Sequence, residues 1–335
     1  MVDVKMLITA LIVAFLVSAV LLPFLIYVLK KEKIKQTILH YVDMHASKAG
    51  TPTMGGIAFI LSICAVGLLF LRGEKSLGLM TLIVTFAYGL IGFLDDFIKF
   101  KFKRNLGLRP YQKIISQLII AVAVAIFVYK SRDIVGGVLY VPFTRVQIDI
   151  GAWIIPFVIF IFLATTNSVN LTDGLDGLAS GTTMAYLVTI GGVIVAQLSV
   201  RLAGLNLAAV GEYTNLVVIC AVGFGALLGF LLFNGFPARI FMGDTGSLSL
   251  GGLTACVAIF TRNSLYIPII GLMFVLSSVS VIIQVAHYKR TKKRVFLMAP
   301  LHHHFEKKGI SEVKIVVWYT TVTLILGLIS VLFEL

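Results

Sequence analysis

The sequence predicts an all-α polytopic membrane protein, and three observations support that prediction. Of the 335 residues, 59% are hydrophobic and only 13% are charged. The mean hydropathy is +1.02, which is far above that of an ordinary soluble domain. The apolar residues gather in runs of about 16 to 25 residues, each long enough to cross ~30 Å of hydrocarbon as a helix. A soluble enzyme and a disordered chain are thereby excluded.

The apolar runs predict ten transmembrane helices in one membrane domain, residues 1–335. They lie near residues 6–29, 54–71, 76–94, 114–129, 151–168, 178–198, 214–233, 246–260, 265–286 and 315–333. The first run follows MVDVK, which is weakly basic, and lacks a small-residue cleavage site. We therefore expect it to be a retained helix and not a signal peptide.

The basic residues predict the orientation of these helices. If the N-terminus lies outside, the cytoplasmic loops hold 20 of the 28 lysines and arginines, in agreement with the positive-inside rule. With ten spans the C-terminus also lies outside. The net charge of +13 is then explained by inner loops beside anionic lipid, so the partner is the bilayer and not a nucleic acid.

The outer loops contain few candidate functional residues. GGVLYVPFTRVQIDIG, within residues 130–150, alternates apolar and polar residues and predicts a small β-hairpin packed on the outer face. The acids assigned to the outer side are scattered singly, which is typical of solvated loop residues: Asp3, Glu74, Asp133, Asp149, Glu212 and Glu334. Cys64, Cys220 and Cys256 fall within predicted spans without metal-ligand spacing and indicate buried apolar positions.

The inner loops hold the unusual carboxylates. Asp95 and Asp96 end the third span, where helix carbonyls disfavour acids unless a cation joins them. Because adjacent helical residues point about 100° apart, we expect the pair to divide its roles. The alternative is an interfacial acid pair balanced by Lys99.

Two further acidic motifs open helices from the same side. NLTDGLDG contains Asp173 and Asp176, and FMGDTGS contains Asp244. Helix N-termini suit phosphates, although each motif alone could be an ordinary N-cap. Five carboxylates from three loops together predict a hard divalent cation, Mg²⁺, carrying a phosphate. The active site is therefore expected at the cytoplasmic face.

Other polar residues reach the same face. Asn170 and Asn234 end the fifth and seventh spans and could contact a base or sugar, or cap helices. SKAGTPTMGG brings Lys48 and Thr53 inward, either to phosphate oxygens or as a basic juxtamembrane segment. The histidine run of APLHHHFEKKG lacks helical zinc spacing, so an anionic phosphate is the better ligand, with a solvated basic loop as the alternative.

Taken in order, KAGTPTMGG, DDFIK, NLTDGLDGLASG, NGFPARIFMGDTGSLSLGG and PLHHHFE resemble the phospho-N-acetylmuramoyl-pentapeptide transferases. These belong to the polyprenyl-phosphate N-acetylhexosamine-1-phosphate transferase superfamily. The resemblance implies Mg²⁺-dependent transfer of phospho-N-acetylmuramoyl-pentapeptide from its UDP carrier to undecaprenyl phosphate, giving lipid I and UMP in peptidoglycan synthesis. It further implies the bacterial cytoplasmic membrane and suggests a homodimer.

The resemblance also assigns roles to residues. Asp244 would ligate Mg²⁺, Asp95 would deprotonate undecaprenyl phosphate, and Asp96 would support the lipid phosphate or the metal. His303 would also act in catalysis, and His302 and His304 would engage the phosphate or the sugar-peptide. The nucleoside would be surrounded by Asn170, Leu171, Asp173, Gly174, Asp176, Asn234 and Phe241. Weaker assignments to phosphate or sugar are Lys48, Thr53, Lys99, Lys113 and Gln284.

Two alternatives stay open at this point. A related N-acetylglucosamine-1-phosphate transferase would share the acidic motifs, although PLHHHFE favours the muramoyl-pentapeptide enzyme. An ion-coupled transporter is the alternative from another class. Its site would lie near the middle of the membrane on broken helices, whereas the acids here gather at one face.

Overall fold

The computed structural model describes residues 3–32, 50–102, 107–144, 146–201 and 207–335. Over these ranges the chain forms twelve α-helices and one two-stranded sheet. The elements in order are α1 (Val4–Lys31), α2 (Gly56–Phe70), α3 (Ser76–Lys101), α4 (Pro110–Lys130), β1 (Val138–Tyr140), β2 (Gln147–Asp149), α5 (Ile154–Thr172), α6 (Leu178–Arg201), α7 (Leu207–Asn234), α8 (Gly243–Phe260), α9 (Ile267–Ile270), α10 (Leu272–Thr291), α11 (Leu301–Lys307) and α12 (Glu312–Glu334).

Eight helices are long and apolar enough to cross a membrane within the described ranges. They are α1, α3, α4, α5, α6, α7, α10 and α12. This confirms the prediction of an all-α, multi-pass membrane protein. Of the other predicted spans, 54–71 becomes α2, which has 15 residues, and 246–260 lies in α8. The count of ten spans stays a prediction.

The predicted span at residues 265–286 is divided in the structure. A 3-10 turn and the four-residue helix α9 precede Gly271, and the long helix α10 begins only at Leu272. Pro268 stands in the first turn of α9, where a missing N–H costs nothing. Hydropathy alone does not detect this break because both sides of it are apolar.

Helix α8 forms the centre of the bundle. Every residue from Thr245 to Phe260 is buried, because α8 packs against α3, α5 and α2. Its 18 residues span about 27 Å at ~1.5 Å per residue. The segments that precede and follow α8 therefore lie at opposite ends of the bundle.

The small sheet lies at the end of the bundle reached by the C-terminus of α8. β1 and β2 pair antiparallel, with Leu139 opposite Ile148. Arg262, just after α8, accepts a hydrogen bond at its carbonyl from Tyr140 N (2.9 Å) and donates one from Nε to the Val135 carbonyl (3.0 Å). Both strands lie within residues 130–150, and the predicted hairpin packed on the outer face stays a prediction. Their position outside the cell stays a prediction with the orientation.

Two acids that were expected to be solvated are buried, so that expectation was wrong for them. Glu212 is 0% exposed and Glu334 is 6% exposed, and Glu334 accepts a hydrogen bond from Tyr266 Oη. The Glu212 carboxylate accepts from the backbone N–H groups of Ser76 (2.6 Å) and Leu77 (2.9 Å) at the start of α3. An anion is stabilised there by the helix dipole. Asp3, Glu74, Asp133 and Asp149 are exposed as expected.

Glu212→Ala is expected to lower the free energy of unfolding by about 2 kcal/mol, because the N–H groups of Ser76 and Leu77 at the start of α3 lose a charged acceptor. The measurement is the thermal unfolding midpoint of the purified protein in detergent. Glu212→Gln keeps one acceptor oxygen and should lose less. Glu74→Ala, at an exposed side chain near the same helix start, is the control, and a midpoint of Glu212→Ala equal to that control would contradict the capping role.

Candidate functional site

Three carboxylates from two helices meet at the end of the bundle opposite the sheet. Asp95 and Asp96 stand near the C-terminal end of α3, and Asp244 stands at the start of α8. One oxygen from each carboxylate lies within 4.8 Å of the others. We call these three residues the acid cluster. The adjacent pair therefore stays within reach of one cation, although helical geometry predicted that its members would diverge.

A glycine allows the two helices to approach at this point. A Cβ atom built on Gly92 would lie 2.1 Å from the carbonyl oxygen of Asp244, closer than any side chain permits. Gly56 on α2 is equally restricted, since its Cβ would lie 2.4 Å from Gly246. Small residues in GLIGFLDD and TMGG thus bring α2 and α3 against the start of α8 and fix the position of Asp244.

Asp96 is tied to the N-terminus of α8. Its Oδ2 accepts hydrogen bonds from Thr245 N (3.0 Å) and Thr245 Oγ1 (2.7 Å). Thr53 lies at the same place, because a Cβ on Gly243 would lie 2.4 Å from Asp96 Oδ2 and 2.9 Å from Thr53 Oγ1. Gly243 has φ +71°, which favours glycine. Asp96 therefore holds α3 to α8 through one oxygen and faces the acid cluster with the other.

Two lysines enter the acid cluster. Lys99 Nζ lies 2.6 Å from Asp95 Oδ2, 2.8 Å from Asp244 Oδ2 and 3.7 Å from Asp96 Oδ1. Lys113 Nζ, from α4, lies 3.2 Å from the same Asp244 oxygen. The Lys99 ammonium thus contacts all three carboxylates. The proposed balance of the acid pair by Lys99 is present, and it extends to Asp244.

Asn170 orients Asp244 from the other side. Its Nδ2 donates to Asp244 Oδ1 (2.7 Å) and to Ser247 Oγ (2.8 Å), and its Oδ1 lies 3.4 Å from Lys113 Nζ. Both oxygens of Asp244 are therefore held in place by neighbouring donors. In the structure Asn170 contacts the acid cluster through Asp244, and its contact with a nucleoside stays a prediction.

The turn at residues 173–177, between α5 and α6, lies beside the acid cluster. Asp173 is half-buried in this turn. Burial, followed by the neighbouring carboxylates of Asp244, Asp96 and Asp176, raises the pKa of Asp173 well above its usual range. Its ionisation is opposed because the site already holds negative charge.

Asn234 holds this turn by hydrogen bonds. Its Oδ1 accepts from Gly177 N (3.2 Å) and Ser180 Oγ (3.0 Å), and its Nδ2 donates to the carbonyl of Ile240 (3.0 Å). The side chain is 2% exposed. Asn234 therefore joins the start of α6 to the segment before α8, and its predicted contact with a nucleoside is not visible in these bonds.

Backbone pairing holds Phe241, which was predicted to lie beside the nucleoside, against the segment before α2. Phe241 N donates to the carbonyl of Pro52 (2.9 Å), and Gly55 N donates to the carbonyl of Phe241 (2.8 Å). Leu171 and Phe241 are both half-buried. Lys48, predicted to contact phosphate, lies outside the described residues.

The three histidines of α11 have three different environments. His302 is fully buried against Gly174, whose Cβ would lie 2.1 Å from His302 Nε2. His303 Nδ1 lies 2.9 Å from Glu306 Oε2, and His304 Nδ1 accepts from Leu297 N (3.1 Å). The expectation that the three histidines do not bind one metal ion stays a prediction. His302 is the one that reaches the turn at residues 173–177.

Gln284 supports the segment that leads to this helix. Its Oε1 accepts from Val295 N and Phe296 N (both 3.0 Å), and its Nε2 donates to the Phe296 carbonyl (3.1 Å). The amide thus bonds the chain itself at both ends. The predicted contact of Gln284 with phosphate or sugar stays a prediction.

Comparisons with known proteins point to one family. The model of glycosyl transferase family 4 matches residues 77–262, and signature 1 of the phospho-N-acetylmuramoyl-pentapeptide-transferases matches residues 48–60. The transferase of that name from Clostridioides difficile (strain 630) is 42% identical over 321 residues, 96% of this chain and 95% of the relative. The one from Geobacillus sp. (strain WCH70) is 43% identical over 334 residues, 98% of each chain. The chain belongs to the phospho-N-acetylmuramoyl-pentapeptide-transferase family.

This membership confirms the resemblance that five motifs indicated. The glycosyl transferase match extends from α3 to just beyond α8, so it contains the whole acid cluster. The signature of the phospho-N-acetylmuramoyl-pentapeptide-transferase family contains Lys48 and Thr53. Thr53 lies beside Asp96 in the structure, so the described part of the signature segment reaches the acid cluster.

Sequence reasoning missed several residues of this family member's site. Thr245 and Ser247 lie in FMGDTGS, where only Asp244 was singled out, yet they bond Asp96 and Asn170. Their position one and three residues after Asp244 was the available signal. Glu312 was not considered, and it accepts a hydrogen bond from Asp176 N. No local pattern pairs these two residues, which are 136 positions apart.

The charges of the site match a divalent cation. With all three carboxylates ionised, −3 from them and +2 from two ammonium groups give a formal net charge of −1, and Asp173 adds another negative charge when it ionises. Carboxylate oxygens are ligands that Mg²⁺ prefers, and one oxygen from each of three carboxylates within 4.8 Å can meet at one ion. The residues present in this phospho-N-acetylmuramoyl-pentapeptide-transferase family member therefore fit such an ion.

Lys99→Gln is expected to tighten Mn²⁺ binding about tenfold, because the ammonium competes with the ion for the same carboxylate oxygens. Mn²⁺ titration of the detergent-solubilised protein, followed by electron paramagnetic resonance, measures this without turnover. Lys101→Gln changes an exposed lysine at the same helix end and is the control. Unchanged or weaker Mn²⁺ binding in Lys99→Gln would show that the ammonium does not compete.

Proposed function

We propose that this protein transfers phospho-N-acetylmuramoyl-pentapeptide from UDP-N-acetylmuramoyl-pentapeptide to undecaprenyl phosphate, forming lipid I and UMP. The observation that supports this proposal most strongly is identity of 42% and 43% with transferases of that name over 95% or more of the chain. The acid cluster would hold the cation that such a transfer needs, since the two negatively charged phosphorylated substrates repel each other and must be brought together.

We assign Mg²⁺ to the acid cluster, with Asp244 as its principal ligand. When bound, the ion would neutralise diphosphate charge and stabilise the charge that develops at the transferring phosphorus. Asn170 and Lys113 keep the Asp244 carboxylate oriented. Asp96 would contribute Oδ1, while Thr245 holds Oδ2.

Asp95 is our candidate for the base that takes the proton from undecaprenyl phosphate. Its Oδ1 accepts from Leu108 N (2.9 Å), so the carboxylate is held in one orientation. An oxygen of the lipid phosphate then forms a bond to the β-phosphorus of the UDP substrate. The bond from that phosphorus to the bridging oxygen breaks, and UMP leaves with the oxygen and its electron pair.

The remaining residues bind and orient the donor. Asp173 and Asp176 would line the nucleoside side, with Leu171, Gly174 and Phe241 beside them. The lysines Lys48 and Lys99 and the hydroxyl of Thr53 would contact phosphate. His303 is held by Glu306 (2.9 Å) and, with His302 and His304, would face the phosphate or the sugar-peptide.

We also propose that this site faces the cytoplasm of a bacterial cytoplasmic membrane, with ten spans and both termini outside. The support is the count of 20 basic residues among 28 in the loops on the side of the acid cluster. A cysteine introduced at His303 should then react with a thiol reagent only when the inner face is accessible. Labelling by an impermeant outside reagent would refute the orientation.

The function is tested with purified protein, Mg²⁺ and undecaprenyl phosphate, offering either UDP-N-acetylmuramoyl-pentapeptide or UDP-N-acetylglucosamine. We expect UMP and lipid-linked product from the first donor only. Product from the second donor alone would assign the protein to the related hexosamine transferases. Absence of product with either donor, together with uptake of a labelled solute into proteoliposomes, would favour a transporter.

A further inference from the structure

Glu312 is a half-buried carboxylate that the proposed mechanism does not use. It is the first residue of α12, and its Oε1 accepts a hydrogen bond from the backbone N–H of Asp176 at 2.5 Å. This joins the C-terminal helix to the turn at residues 173–177. A charged acceptor on a backbone N–H is about twice as strong as a neutral one.

Two parts of the chain hold the turn at residues 173–177. On one side Asp176 Oδ2 accepts from Ala238 N (2.9 Å) and Asn234 accepts from Gly177 N (3.2 Å). On the other side the chain after α10 supplies Glu312 and His302, the latter packed against Gly174. The position of Asp173 and Asp176 thus depends on residues from both sides.

The packing under this turn also belongs to the C-terminal part of the chain. Leu175 and Leu178 form a small hydrophobic cluster with Met273, Ile315 and Tyr319, separate from the main core. Ile315 lies one helical turn after Glu312. Glu312 and this cluster therefore seat the turn on α12, and Glu312 provides the directional contact.

We propose that Glu312 is a positioning residue for the nucleotide part of the donor substrate. It acts by holding Asp176 N–H, and so sets where the carboxylates of Asp173 and Asp176 stand. This inference rests on the proposed function, in which the turn lines the nucleoside. Loss of the acceptor leaves the turn free to shift, and a loop that must become ordered on binding lowers the affinity for its ligand.

The experiment compares Glu312→Ala and Glu312→Gln in the transferase assay with full-length protein. Glu312→Ala should raise the KM for UDP-N-acetylmuramoyl-pentapeptide about tenfold. The KM for undecaprenyl phosphate and kcat should each change less than about twofold. Glu312→Gln, which keeps an oxygen acceptor for Asp176 N–H, should restore most of the donor KM. Glu32→Ala, at an exposed glutamate, is the control.

Three outcomes would overturn the positioning role. They are a donor KM in Glu312→Ala equal to that of the control, an equal rise in both KM values, and a Glu312→Gln variant as impaired as Glu312→Ala. A general folding defect would reduce the amount of active protein and hence kcat, leaving the KM values in place. Failure of the wild-type protein to use the UDP donor would instead refute the proposed function, so the two failures are distinguishable.

Discussion

Asp244→Asn is expected to abolish most activity, lowering the rate of product formation by more than about 100-fold. Replacing residues that only hydrogen-bond the ligands of a metal already lowers activity or metal affinity about 10- to 100-fold. Asp244 is the proposed principal ligand itself. Lys99 and Lys113 share its Oδ2, and Asn170 holds its Oδ1. An amide at this position has the same shape but removes the negative charge that a divalent ion requires.

The same variant separates metal binding from catalysis. Mn²⁺ binding by Asp244→Asn should weaken by a factor similar to the loss of rate, whereas Lys99→Gln should tighten it. Asp133→Asn changes an exposed acid outside the acid cluster and should behave like the wild-type protein in both measurements. Lost activity with wild-type Mn²⁺ binding would show that Asp244 is not the principal ligand.

The helices could be predicted from the sequence because their signal is local. Each apolar run of sufficient length must satisfy its backbone groups internally in lipid, and only a helix does so within one segment. The exceptions have physical reasons. The break at Gly271 lies within continuous apolar sequence, and the burial of Glu212 depends on α3, which starts more than a hundred residues earlier in the chain.

The acid cluster was predicted in part for a similar reason. Asp95, Asp96 and Asp244 stand at helix ends that one topology brings to a common face, so their proximity followed from the count of spans. The contact of Lys99 with Asp95 follows from i, i+4 spacing on one helix. The bonds of Asp244 with Lys113 and Asn170 join three helices, and no sequence pattern specifies such contacts.

Asp95→Asn is expected to lower kcat by about 10²- to 10⁴-fold, the usual contribution of a positioned general base. The amide can still accept the hydrogen bond from Leu108 N, so the local shape is retained. The KM for the lipid acceptor should change little. Asp96→Asn is the matched comparison, because Asp96 bonds the start of α8 through Thr245 and its replacement should also lower the unfolding midpoint.

The order of steps decides whether Asp95 is a base or a nucleophile. If the lipid phosphate attacks directly, the wild-type protein mixed with the UDP donor and no acceptor releases no UMP, because no phosphorus–oxygen bond breaks before the acceptor arrives. An aspartyl-phosphate route would instead release UMP in a burst equal to the amount of enzyme. Rapid-quench measurement of UMP distinguishes the two. A stoichiometric burst of UMP that disappears in Asp95→Asn would make Asp95 the nucleophile. If the wild-type protein shows no burst, Asp95 is the acceptor of the lipid proton, in the orientation that Leu108 N and Lys99 hold.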